Sequence, residues 1–212
     1  MKYKIKNVHK TLFIKERYQI LSERNDNSLN NFSLNNWRST MSIISEKTFE
    51  EMLKLNNYNK KISVNVEEKK QIARKVSELI KDNETIFIGP GSTTSYLAEY
   101  LQDRDINIVT NSLTVFEQFK DNPSCDLIFI GGRYRQKTKG FIGFFTQDAL
   151  SKISVNKAFV GVNGIDLEKV TISDEEEGRC NETILNNATE RYVLADHSKF
   201  STHAFYTFFQ LK

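Results

Sequence analysis

From Glu67 onward the apolar positions switch repeatedly between two periods. Glu67 to Lys81 places Ile72, Ala73, Val76, Leu79 and Ile80 three and four residues apart, which predicts an amphipathic helix. Thr85 to Ile88 (TIFI) is a short continuous apolar run and predicts a buried strand. The alternation then continues. Tyr96, Leu97, Ala98 and Leu101 mark a helix, Ile106 to Val109 a strand, and Leu113 to Lys120 a helix with Val115, Phe116 and Phe119 on one face. Asp126 to Ile130 reads as a strand, Thr146 to Ile153 as a helix, Ala158 to Val162 as a strand, Glu175 to Ala188 as a helix and Tyr192 to Ala195 as a strand. Apolar strands alternating with amphipathic helices predict an α/β fold, a mainly parallel sheet with helices on both faces.

The first part of the chain reads differently. All 9 glycines fall at or after Gly89, and so do both prolines, Pro90 and Pro123. The strongest turn formers are therefore absent from residues 1–88. Two short helical candidates, Leu12 to Glu23 and Ser45 to Leu55, flank an Asn/Ser-rich connector from Asn25 to Asn36. This predicts a small, mostly helical and partly irregular N-terminal segment, with domains at 1–64 and 65–212.

Composition adds modest constraints. An apolar fraction of 39% with 15 Phe suffices for a packed core. The net charge of +3 is unevenly spread: residues 1–60 carry 11 Lys and Arg against 6 Asp and Glu, and residues 61–212 carry 19 against 21. A basic lead-in on a slightly acidic body fits a segment that faces nucleic acid; charge alone fits a solvated lead-in equally well. Cys125 and Cys180 lack metal-ligand spacing and read as free thiols of a reducing compartment. No apolar run is long enough to span a membrane and the start lacks a signal-peptide core, which points to a cytoplasmic location. Only 3 His, with no carboxylates or thiols clustered at ligand spacing, argue against a metal site.

The candidate chemistry collects where the strands end, the place at which open parallel sheets bind ligands. Five strand ends carry small or polar residues: Gly89-Pro90-Gly91-Ser92, Thr110-Asn111-Ser112, Gly131-Gly132, Asn163-Gly164 and Asp196-His197-Ser198-Lys199. In the Gly89 to Thr94 loop between a strand and a helix, Gly91 to Thr94 offer main-chain N–H groups that lack intrahelical acceptors, with hydroxyls from Ser92, Thr93 and Thr94. That arrangement fits either a phosphate cradle or plain N-capping by Ser92. There is no Gly-Lys-Ser/Thr ending for a nucleotide P-loop, and no acidic residue after the second strand for a dinucleotide ribose. Lys199 and Asp196 could serve a phosphate and a sugar hydroxyl, or form a surface ion pair. Glu175 and Glu176 suit the helix dipole, and Glu177 is a further ligand candidate.

In order, Leu79-Ile80, Ile86 to Thr94 (IFIGPGSTT), Val109-Thr-Asn-Ser112, Ile130-Gly-Gly132, Gly143, Ala158 to Ile165 (AFVGVNGI), Glu177-Gly178 and Leu194 to Phe200 (LADHSKF) resemble the sensor domain of the DeoR/GlpR family of bacterial transcriptional repressors. The Gly-Pro-Gly loop is similar to that of the branch that includes lactose phosphotransferase repressors. The resemblance covers about residues 65–212. It implies a fold related to sugar-phosphate isomerases and a phosphorylated sugar as effector. It also implies homo-oligomers acting on operator DNA through an N-terminal winged helix-turn-helix, with neither catalysis nor a cofactor. The expected ligand contacts are Gly89, Gly91, Ser92, Thr93 and Thr94 for the phosphate, Thr110, Asn111, Gly131 and Gly132 for the sugar, and Asn163, Glu177, Asp196 and Lys199 around it.

Two departures qualify the resemblance. Lys15 to Leu21 resembles the opening helix of the family's DNA reader, but Trp37 to Ile44 lacks the Arg-Arg-Asp of a recognition helix, and the glycine-free start excludes the wing. The chain also stops at Leu211-Lys212, where the family continues into another strand, which predicts an unpaired sheet edge. Two alternatives therefore stand beside the sensor reading: a sugar-phosphate isomerase-like enzyme, and a remnant that binds no DNA but oligomerises with an intact repressor.

Overall fold

The computed structural model describes residues 18–21, 61–166 and 168–211. Six parallel strands form the main sheet: β1 (Tyr18–Leu21), β2 (Thr85–Ile88), β3 (Ile106–Thr110), β4 (Cys125–Phe129), β7 (Val155–Gly161) and β10 (Ala188–Leu194). Their order is β1-β10-β7-β2-β3-β4. Beside it lie a hairpin, β5 (Arg133–Arg135) with β6 (Gly140–Ile142), and an antiparallel sheet of β8 (Gly164–Asp166), β9 (Lys169–Ile172) and β11 (Tyr206–Gln210). The helices are α1 (Val66–Ser77), α2 (Ser92–Glu99), α3 (Leu113–Phe119), α4 (Phe144–Ser151) and α5 (Glu175–Asn186).

The period-2 alternation of strand side chains divides the core in two. Ile86, Ile88, Phe159, Tyr192 and Leu194 face one side, where they pack on Ile72, Ala73 and Val76 of α1, Leu97 and Ala98 of α2, and Val115 and Phe119 of α3. Phe87, Ala158, Val160 and Val193 face the other, against Leu150 of α4, Ile184 and Leu185 of α5, and Ile165, Val170 and Phe208 of the antiparallel sheet. The strands read as continuous apolar runs because both their faces are covered. Phe159 and Tyr192 stack across neighbouring strands at 4.8 Å between centroids.

Chain order fixes where a ligand can enter. From β2 the chain winds outward to β3 and β4, then returns to place β7 and β10 on the opposite side of β2. The direction of winding therefore reverses between β2 and β7. The crevice at the carboxyl ends of those two strands is the topological switch point.

Several expectations are corrected. Within the predicted helix Leu12 to Glu23, residues Tyr18–Leu21 instead form a strand parallel to β10, with Leu21 opposite Leu194. A short run holding an aromatic and a β-branched residue gains main-chain partners at an open sheet edge, which an isolated helix of that length cannot match. The outer edge of β10 is thereby paired, and β11 joins β9 rather than the main sheet. The second helical candidate, Ser45 to Leu55, lies outside the described residues. The hairpin and the antiparallel sheet were not predicted, because their strands are three to five residues long and show no sustained period. Cys125 and Cys180 are both free thiols, and among the described residues no helix is long and apolar enough to cross a membrane.

Candidate functional site

The loop from β2 to α2 enters the switch-point crevice. The Gly89 N–H donates to the Phe159 carbonyl of β7 at 2.9 Å and anchors the loop. Gly91 is the N-cap of α2, and no side chain caps the helix. The hydroxyls of Thr94 and Ser95 instead donate to the Gly91 carbonyl, at 3.0 and 2.7 Å. Ser92 is the first helical residue rather than the cap, so the capping alternative does not describe this turn. The opening N–H groups of α2 face a cavity of about 330 Å3, lined by Gly91, Ser92 and Thr93. Small size is required at Gly91. A Cβ on Gly91 would stand 3.7 Å from the Gly161 Cα and 2.9 Å from the Thr94 Oγ1.

The remaining walls come from six other places. The end of β7 brings Gly161 and Asn163, and the end of β10 brings Asp196 with the single 3-10 turn His197–Lys199. The first turn of α5 brings Glu177, the β5–β6 hairpin Lys137 and Thr138, and the stretch before α1 Lys61, Val64 and Asn65. Lys69 of α1 closes that side. Lys61, Lys69, Lys137 and Lys199 thus line the cavity against two carboxylates, and the helix N-terminus adds further positive potential. This balance favours an anion.

The carboxylates differ in state. Burial would raise the Asp196 pKa, but the Ser198 hydroxyl, Lys199, the Ser198 N–H and the Asn65 amide outweigh it and hold the carboxyl below its ordinary value. Asp196 Oδ1 accepts from Asn65 Nδ2 at 3.2 Å and from the Ser198 N–H at 3.0 Å, and Lys69 Nζ lies 4.0 Å from Oδ2. Burial dominates at Glu177, pushing it up to about 7 against the opposing charges of Arg135 and Lys61. Its Oε2 is buried and has no hydrogen-bond partner among the described residues. A buried carboxylate oxygen left unpaired costs free energy unless a ligand or water completes it. Burial also lowers the pKa of Lys69, opposed by Asp196, and that of Lys61, opposed by Glu177.

The expected ligand residues separate into two groups. Gly91, Ser92, Thr93, Asn163, Glu177, Asp196 and Lys199 line the cavity together. Gly89, Thr94, Thr110, Asn111, Gly131 and Gly132 do not; they hold the surrounding turns. Thr110 Oγ1 donates to the Ile88 carbonyl at 2.6 Å and accepts from the Ser112 N–H at 3.0 Å. Asn111 Nδ2 donates to the Phe141 carbonyl at 2.7 Å, fastening β6 to the end of β3. The Gly131 carbonyl accepts from Thr146 Oγ1 at 2.8 Å, and a Cβ on Gly132, whose φ is +153°, would stand 2.0 Å from that oxygen. Sequence reasoning missed Lys61, Asn65, Lys69, Lys137 and Gly161. Gly161 stood within the AFVGVNGI motif; the others carry no motif and meet the cavity only through the fold.

The fold also brings together residues distant in sequence. Donor atoms of Glu68, Asp196 and His197 lie within 4.8 Å of one another. They are satisfied internally, His197 Nδ1 by Glu68 at 2.6 Å and Asp196 by the bonds above, so the trio buttresses the turn after β10.

The profile of the DeoR C terminal sensor domain matches residues 64–212. The chain belongs to the DeoR family. The lactose phosphotransferase system repressor of Lactococcus lactis subsp. lactis is 40% identical to this DeoR-family chain over 146 residues, 68% of the chain and 57% of that protein. The repressor of the same name from Streptococcus mutans serotype c is 35% identical over 157 residues, 73% of the chain and 62% of that protein. The chain thus spans about three fifths of the length of these curated relatives. Among solved structures, a ribose-5-phosphate isomerase in complex with phospho-erythronic acid overlaps 62% of this chain and 52% of its own, at 19% identity and a TM-score of 0.46.

Proposed function

We propose that this DeoR-family chain binds a phosphorylated sugar in the switch-point cavity and, as part of a sugar-responsive repressor, couples that binding to the state of operator DNA. One observation carries the proposal. An uncapped helix N-terminus opens onto a cavity of about 330 Å3 lined by four lysines and two carboxylates, a size in the range of small-ligand sites. The phosphate takes the opening N–H groups of α2 with Ser92 and Thr93, where amide dipoles favour a dianion. The sugar hydroxyls take Asn163, Glu177, Asp196 and Lys199. The names of the relatives support a sugar delivered by a phosphotransferase system. Domains at 1–64 and 65–212, homo-oligomers and a cytoplasmic location belong to the same proposal.

A thermal-shift panel tests it, pairing aldose and ketose hexose 6-phosphates and pentose 5-phosphates with their unphosphorylated sugars. Stabilisation by one or two phosphates, with no response to the free sugars, is the expected result; at 100-fold excess over Kd it amounts to about 2.7 kcal/mol. A clean melt unmoved by every phosphate contradicts it. Lys199→Ala is expected to weaken binding of whichever phosphate responds, and unchanged affinity would remove Lys199 from the site.

The state of Glu177 favours a second reading, a sugar-phosphate isomerase in which this carboxyl acts as the base, since a buried acid with a pKa near 7 suits proton transfer. Interconversion of aldose and ketose phosphates by the wild-type chain, lost in Glu177→Gln, would select that reading over the sensor.

A further inference from the structure

The stretch from Lys61 to Asn65 is a wall of the cavity and, at the same time, the chain that leads into it from residues 22–60. Lys61, Val64 and Asn65 all line the cavity. Lys61 and Ile62 are helical, Ser63 to Asn65 form a turn and a bend ahead of α1, and the stretch is held by side chains from three elements. The Lys69 ammonium of α1 donates to the carbonyls of Lys61 and Val64. Tyr96 of α2 donates its hydroxyl to the Ile62 carbonyl at 3.1 Å. Asn65, in the left-handed conformation at φ 53°, donates its amide to Asp196 at 3.2 Å. Two of these anchors are tied to the ligand site itself, since Lys69 and Asp196 also line it and stand 4.0 Å apart.

The geometry points to Lys61–Asn65 as an occupancy-sensing strap, with Lys69 as the positioning residue that fastens it. Resting on the ligand-binding reading above, the strap is the element through which a bound sugar phosphate alters the segment ahead of the sensor domain. Asp196 accepts from Asn65; a ligand hydroxyl bonded to Asp196, or a phosphate oxygen near Lys61, competes for the partners of the strap's own anchors. Lys69 is buried and its ammonium is bound to two strap carbonyls, so a shift of Asp196 charge toward a ligand is felt at once by the strap's main chain. A ligand can bias such an element only through a difference in its contacts between the two states, and here the contacts are shared between strap and ligand. The strap is a single stretch of five residues, short enough for one ligand to span.

Hydrogen exchange measured by mass spectrometry on the full chain tests this, using as probe a hexose or pentose phosphate that stabilises the protein, with inorganic phosphate as control. Saturating sugar phosphate is expected to change amide exchange across residues 61–66 by about fivefold or more, the low end of ordinary coupling. Tyr96→Phe, which removes one strap anchor and no cavity-lining group, is expected to speed exchange there in the free protein. It should also lower sugar-phosphate affinity by about two- to tenfold, the worth of one hydrogen bond. Lys69→Met should do both more strongly; if it fails to fold, Tyr96→Phe still decides. A sugar phosphate that raises the melting temperature while leaving exchange at 61–66 unchanged overturns the strap and leaves the binding site standing. Absence of any melting response to any phosphate overturns both.

Discussion

At the scale of single residues, Glu177 is where stability and ligand binding oppose each other. Its carboxyl is buried with Oε2 unpaired, and burial pushes its pKa from 4.5 to about 7. The unfolded chain loses this proton near 4.5, so between about 4.5 and 7 the folded protein holds more protons and its stability falls as pH rises through that window. A shift of this size corresponds to about 3 kcal/mol. Glu177→Gln is therefore expected to melt like the wild type near pH 4.5 and about 5 to 10 °C higher at pH 8, while sugar-phosphate affinity drops. An equal difference in melting temperature at both pH values would contradict the assignment. Asp196 has the opposite sign. Its carboxylate is held below the ordinary range, so its contribution is complete above the unfolded pKa and disappears as pH falls through the folded one. Asp196→Asn leaves Lys69 buried beside a neutral partner, and an expected loss of about 3 kcal/mol or more follows from breaking a buried pair. Urea denaturation at pH 7 measures it, and a loss under 1 kcal/mol would show that Lys69 is neutral in the folded protein.

Among the elements, the β5–β6 hairpin has the least sequence signal and a clear role. Gly140 lies against the β2–α2 loop so closely that a Cβ there would stand 2.4 Å from Pro90 Cγ. Asn111 and the Lys139 carbonyl fasten the hairpin to the end of β3 and the start of α3, through bonds of 2.7 Å to Phe141 and 2.8 Å from Leu113. Its tip carries Lys137 and Thr138 into the cavity. Gly140→Ala must part hairpin from loop, with an expected destabilisation of about 1 to 3 kcal/mol and weaker phosphate binding; an unchanged affinity would detach the hairpin from the site. The strands and helices of the main sheet were legible because each buries one period of apolar side chains. Ile86 and Phe87 point to opposite cores and are apolar for that reason. The hairpin and the antiparallel sheet were not, since three residues such as Gly164–Asp166 give no period to read. The same limit explains the site. Ser92, Asn163, Asp196 and Lys199 sit at strand ends and could be read from position alone. Thr110 and Asn111 sit at a strand end too, but the Thr110 hydroxyl bonds Ile88 and Ser112 and the Asn111 amide bonds the hairpin at Phe141. Lys61, Asn65 and Lys69 reach the cavity from before β2, a juxtaposition that only the packing of α1 creates.

For the whole molecule, the reversal of winding between β2 and β7 decides where function lies. Every cavity-lining group is carried there by a strand end, a helix start, the hairpin or the strap. The basic residues 1–60 precede the strap directly, and DNA binding through them is expected to weaken steeply with salt; a mobility shift showing no operator preference over random duplex would sink operator recognition by this chain. In the proposed sensor, the uncapped start of α2 receives a phosphate joined to a sugar. Calorimetric titration of the wild-type chain with the responding sugar phosphate, the same sugar without phosphate, and inorganic phosphate tests this. Saturable one-site binding of the sugar phosphate is expected, at least about 100-fold tighter than either fragment, a difference of about 2.7 kcal/mol. Equal affinity for the phosphorylated and unphosphorylated sugar would contradict it.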